Sequence, residues 1–123
     1  MTIQELYGKI GGSYDSALKI LQSERLVSKF ILRFLTDTSA QRLLDAYAAK
    51  DSTGMFEGAH ALKGVCANLG LDELSRRASE IAEEYRPGNQ PKLRAEELDQ
   101  RMQELAELYE QSVAGIQEFA AQQ

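Results

Sequence analysis

Apolar side chains recur along this chain at spacings of three and four, and almost nowhere in the alternation a strand requires. Valine occurs only at Val27, Val65 and Val113, and no Asn-Gly or Asp-Gly pair offers a hairpin turn. A chain so patterned buries its apolar stripes by packing helix against helix. Its 123 residues are enough to enclose a real core, and residues 1–123 are expected to form a single domain. Hydrophobic content of 43% beside 27% charged residues belongs to ordinary globular chains and excludes disorder as the resting state.

The helices can be placed from their punctuation. Gly11-Gly12 ends a short N-terminal segment, and a second short helix is expected from about Tyr14 to Gln22. Ser23 caps a stronger helix whose apolar face carries Leu26, Val27, Phe30, Ile31, Phe34 and Leu35. Thr36-Asp37-Thr38-Ser39 marks a break, after which helical spacing resumes through Leu43, Leu44 and Tyr47. Asp51-Ser52-Thr53-Gly54 is turn chemistry with several N-cap candidates, and it introduces a helix that Gly70 closes. The next helix has Leu71, Leu74, Ala78, Ile81 and Tyr85 on one face, until Pro87-Gly88 breaks it. Pro91 suits the first turn of a last helix bearing Leu98, Met102, Leu105, Tyr109, Ser112, Ile116 and Phe119. The expected fold is all-α: an antiparallel four-helix bundle with additional short N-terminal helices.

Charge and cysteine content narrow the function. A net charge of −5 with no Lys/Arg stripe argues against nucleic acid, which needs a basic surface. The lone Cys66 has no partner for an internal disulfide, as expected for a reducing cytoplasm. No apolar run approaches the ~20 residues that cross a bilayer, and the N-terminus lacks the pattern of a signal peptide. A cytoplasmic protein without membrane contact is expected. Beginning at a methionine and ending after the last helix, the chain reads as a stand-alone protein.

The residue that carries chemistry is the only histidine, His60, within the run His60-Ala61-Leu62-Lys63-Gly64-Val65-Cys66-Ala67-Asn68-Leu69-Gly70. A helical histidine is usually a solvated surface residue or a satisfied core residue. At ~100° per residue, Met55, Leu62, Cys66 and Leu69 fall opposite His60, with Gly58 and Val65 on their flank. Thr53, Phe56, Glu57, Lys63, Gly64 and Ala67 share its side. The wheel therefore excludes a core histidine. Gly64 argues against mere solvation: a mid-helix glycine costs up to ~1 kcal/mol relative to alanine, and this one faces away from the apolar stripe. A bare stretch of helix beside an imidazole and an ammonium suits a nucleophile that receives a phosphoryl group from a closely docked partner. Gly58 and Gly54, by contrast, read as helix packing and turn.

His60-Ala61-Leu62-Lys63-Gly64 followed by Asn68-Leu69-Gly70 resembles the His-x-Leu-Lys-Gly…Gly signature of histidine phosphotransfer (HPt) domains, the carriers of multistep two-component phosphorelays. The resemblance runs from about Tyr14 to Gly88, through the Phe-Leu-Thr-Asp break at Phe34 to Asp37 and the Ala-Lys-Asp turn before the histidine helix. Two features depart from the commonest form: Val65-Cys66-Ala67 stands where a Ser/Ala run is frequent, and the final helix is longer. Neither removes a group the chemistry requires. Family members are four-helix bundles with additional N-terminal helices, in agreement with the periodicity.

The resemblance implies that His60 accepts a phosphoryl group from a receiver phospho-aspartate, through Nε2, and passes it to another receiver. A free imidazole, with a pKa of about 6.5, is largely neutral and nucleophilic without a separate base. Lys63 is implied to stabilise the phosphoryl oxygens, and Gly64 to admit the partner's acidic pocket. Phe56 and Ala67 are expected in the dry centre of a receiver-binding surface. Glu57, one turn before His60, either hydrogen-bonds the other ring nitrogen or stays solvated. The implied partners are response-regulator receiver domains and the receivers of hybrid histidine kinases, held transiently by a monomer. No cofactor or metal is expected in this chain, and Mg2+ belongs to the partner receiver. With no Gly-rich nucleotide loop, the chain reads as a carrier and not a kinase. Two rival readings share the fold: a helical module that docks to receivers without carrying phosphate, and a bundle that self-associates through its last helix.

Overall fold

The computed structural model describes residues 1–123 and is helical from end to end. Seven α-helices follow one another: α1 (Ile3–Lys9), α2 (Tyr14–Leu21), α3 (Glu24–Arg33), α4 (Ser39–Ala48), α5 (Ser52–Asn68), α6 (Asp72–Tyr85) and α7 (Ala95–Ala121). The expected antiparallel bundle is formed by α4 to α7, with α1 to α3 added at its N-terminal side. The break after Arg33 is a 3-10 turn over Phe34–Thr36. Asp37 then turns the chain into α4 by accepting a hydrogen bond from the Ser39 amide at 3.0 Å.

Side-chain caps start most of these helices. Ser13, Ser23 and Asp51 accept from the amides of Ser16, Leu26 and Gly54, satisfying donors that a helix leaves unpaired. The Asp51 cap fixes where α5 begins, and hence the register that carries His60. At its far end Gly70 adopts φ +70, and a Cβ there would collide with the Ser13 carbonyl oxygen, so the chain reverses tightly into α6 only with glycine.

The start of α7 corrects one expectation. Pro91 lies in the connection and not in the first helical turn, because the amides of Lys92 and Leu93 donate to the Glu84 carboxylate of α6. The chain thus runs along α6 before turning. The helix begins at Ala95, where the Arg94 amide donates to Glu97 Oε1 at 3.0 Å.

One apolar cluster joins all these helices, from Leu6 and Tyr7 of α1 through Val27, Leu43, Leu62, Cys66 and Ile81 to Leu105 and Ile116 of α7. Burial raises the Cys66 thiol well above its ordinary range, which keeps it an inert packing group. Tyr7 ties the added N-terminal helices to the histidine helix: its buried hydroxyl donates to the Leu69 carbonyl oxygen at 2.6 Å. Tyr7→Phe removes that donor and is expected to cost about 1–2 kcal/mol, read as a lower urea midpoint at unchanged slope. An unchanged midpoint would show that the carbonyl finds another donor.

Candidate functional site

Helix α5 is wedged between α4 and α6, and the two contacts decide which wall stays open. Against α4 the approach is at Gly58, where an added Cβ would stand 2.8 Å from the Leu43 backbone nitrogen and 2.9 Å from its Cα. Against α6, the Ser75 hydroxyl donates to the Lys63 carbonyl oxygen at 3.0 Å. Met55, Gly58, Ala59, Leu62 and Cys66 are consequently buried, and Leu69 at the helix end with them. The remaining stripe faces outward and carries His60, Gly64, Ala67 and Asn68, all exposed. The core side of the wheel is thus reproduced, with Ala59 an added member.

Gly64 has nothing within 4 Å of the position its Cβ would take, in contrast to Gly58. No packing demand explains it, and the helix wall beside the imidazole is bare backbone. The Lys63 side chain is half-buried one turn from His60. Glu57 is exposed and makes no hydrogen bond to His60; it lines a shallow depression with Arg42 and Asp45 of α4. Of the two alternatives for Glu57, the solvated one is therefore observed.

Phe56 is less available than an open apolar patch would be. It is half-buried against the core, and the His60 imidazole stacks on its ring, the centroids 5.5 Å apart and the planes inclined by 19°. The guanidinium carbon of Arg86, at the end of α6, stands 5.5 Å from the centroid of the same ring. Arg86 is in turn held by Glu83, whose Oε1 accepts from Nη2 at 2.6 Å and from Nε at 3.1 Å. The bonds from Arg86, then the positive charges of Arg86 and Lys63, keep the Glu83 carboxyl below the usual carboxylate range. Two cations, Lys63 and Arg86, thus share one wall of the site.

Arg86 and Glu83 are the site residues that reading the sequence missed. They sit far from His60 in the chain, and a wheel drawn for α5 alone is blind to what the end of α6 brings over Phe56. The sole signal was an arginine directly before the Pro87-Gly88 break, which marks a helix end and nothing more.

Along α5 towards its C-terminal end, the open wall runs into a groove of about 380 Å³ lined by Leu21, Phe30, Arg33, Val65 and Asn68 among others. Arg33 lies over the Phe30 ring at 5.2 Å and Lys29 at 5.8 Å, while Asp37 also lines the groove, so its rim carries charge of both signs. Glu96, Asp99, Glu104 and Glu107 line a separate acidic depression on α7. No group of three or more His, Cys, Asp or Glu side chains is arranged to hold a metal ion. No helix is long and apolar enough to cross a membrane.

No curated protein and no solved structure matches the chain. The family model of the Hpt domain does, over residues 31–115. That span runs from the last three residues of α3 into α7 and contains the whole of α4, α5 and α6, with His60 in its first half. Covering well over half of the sequence, the match agrees with the bundle and with the motif on its open wall: this chain belongs to the Hpt domain family, the phosphocarrier modules of two-component systems.

Proposed function

We propose that His60 is the phospho-acceptor of a multistep relay, taking a phosphoryl group from a receiver-domain aspartyl phosphate and delivering it to another receiver. In the accepting step an imidazole lone pair forms the N–P bond. The acyl-phosphate P–O bond breaks, its electron pair goes to the aspartate carboxylate, and the other ring nitrogen keeps its proton. Such transfers pass through a loose transition state, so alignment and charge compensation do most of the work. The observation that carries the reading is the pairing of an exposed imidazole with a Gly64 whose face is empty. That emptiness lets a partner bring its own acidic pocket within reach of the ring. The magnesium ion such a pocket requires belongs to the receiver.

In this reading Lys63 is a mobile point charge for the phosphoryl oxygens, while the charge of Arg86 is taken up by its ion pair with Glu83. The docking face is the open wall of α5 with Ala67 and the groove beyond it; Glu57 lies at its opposite edge. A monomer that holds each receiver briefly suits a carrier, since it must leave one partner to reach the next. Residues 1–123 act as one unit, because α1 and α2 are sealed into the same core as the histidine helix.

The deciding experiment incubates the protein with phosphorylated receivers and assays phosphate that is acid-labile and alkali-stable. Its absence across several receivers, with the helical fold intact, would favour a docking module that carries nothing. Lys63→Ala is expected to slow transfer by about tenfold, the size of one lost charged contact, with little change in stability. Unchanged transfer would remove Lys63 from the mechanism.

A further inference from the structure

We propose that Phe56 is a positioning residue for the phospho-acceptor: its ring, steadied by Arg86, sets the plane in which the His60 imidazole is presented. The inference rests on the reading of His60 as acceptor and concerns how that ring is held. The His60 ring is exposed and hydrogen-bonded to no protein group, Glu57 included, and its contact is the Phe56 ring. An exposed imidazole without such a tether turns freely, since its terminal torsion is broad. In-line attack on a phosphoryl group, by contrast, needs the ring nitrogen aimed. The one aromatic contact of the ring is the stack on Phe56, one helical turn away, at 5.5 Å and 19°. This lies within the range of offset aromatic pairs.

A stack orients the ring without occupying a nitrogen lone pair, so the nucleophile stays free. A hydrogen bond to the attacking nitrogen would orient it and block it together. Phe56 must itself be still for this to work, and three contacts see to that. Its edge packs on the core, Arg86 stands over its ring at 5.5 Å, and Glu83 pins Arg86 by two hydrogen bonds to one carboxylate oxygen. The chain of support therefore runs from α6 through an aromatic ring to the imidazole on α5.

The test compares wild type with Phe56→Leu and Phe56→Tyr by two readouts. The first is the pair of imidazole carbon-bound proton resonances of His60, the only histidine, which the Phe56 ring current displaces upfield. The second is the rate of phosphoryl uptake against the concentration of a phosphorylated receiver, with phosphoramidate as a donor that docks nowhere. Phe56→Leu is expected to move the resonances downfield. It should also lower the saturated uptake rate between about twofold and tenfold, as loss of one aromatic pair implies. The half-saturating receiver concentration should hold, and uptake from phosphoramidate should fall in step. Phe56→Tyr restores both readouts. A saturated rate in Phe56→Leu that matches wild type would overturn the proposal even if the resonances move, as would a loss confined to half-saturation, which marks a docking contact only. Wild type that takes phosphate from neither donor overturns the acceptor reading itself, an outcome separate from the behaviour of the variants.

Discussion

His60→Gln is expected to fold as the parent does and to take up no phosphoryl group from any receiver. The residue is exposed, and neither ring nitrogen is hydrogen-bonded to protein. The substitution therefore costs only the stack on Phe56, about 0.5–1.5 kcal/mol. Its chemical effect is total, because glutamine has no basic nitrogen to attack phosphorus and the chain has no second histidine. The check is a transfer assay beside a thermal melt: acid-labile phosphate absent, melting temperature lower by no more than about 5 °C. Uptake that survives in the glutamine variant would place the acceptor elsewhere and end the relay reading.

The second large effect separates two glycines six residues apart on the same helix. Gly64→Ala adds a methyl into empty space and removes a helix-weakening residue, so stability is expected to hold or rise by up to ~1 kcal/mol. The same methyl stands where the partner's pocket must approach. Holding the donor off by about 1 Å is enough to slow transfer by on the order of a hundredfold. Gly58→Ala does the reverse. Its Cβ would meet the Leu43 backbone nitrogen at 2.8 Å, and backbone cannot rotate away, so α4 and α5 must part. The overpacking costs about 1–3 kcal/mol, partly offset by the better helix propensity. Chemical denaturation of both variants, with transfer rates measured on each, reads the contrast directly. A Gly64→Ala variant that unfolds, or that transfers at the parental rate, would refute the assignment of an open landing face.

Much of the frame was legible because local rules and tertiary packing agree here. Ser23 before Val27 and Ile31 announces a cap and an apolar face together, and both are realised, although Leu26 stays outside the core. The spacing of Met55, Leu62 and Cys66 states which side of α5 is core, and His60 follows as exposed by subtraction. The same rules failed at Pro91, where a side chain from another helix decides. Glu84 captures the next two amides and postpones α7 to Ala95, a competition between elements that no local preference encodes.

The covalent order of the chain settled that these residues form helices, that α5 turns His60 outward, and that Lys63 and Gly64 flank it, because periodicity and side-chain chemistry act within a few turns. Tertiary packing alone decided that Gly58 is sealed by Leu43 while Gly64 stays bare, and that Arg86, held by Glu83, comes to stand over Phe56 beside the imidazole. Those contacts depend on how far α6 travels before Pro87-Gly88 ends it and on the angle at which it meets α5. Such distances belong to the packed bundle, and no single helix carries them.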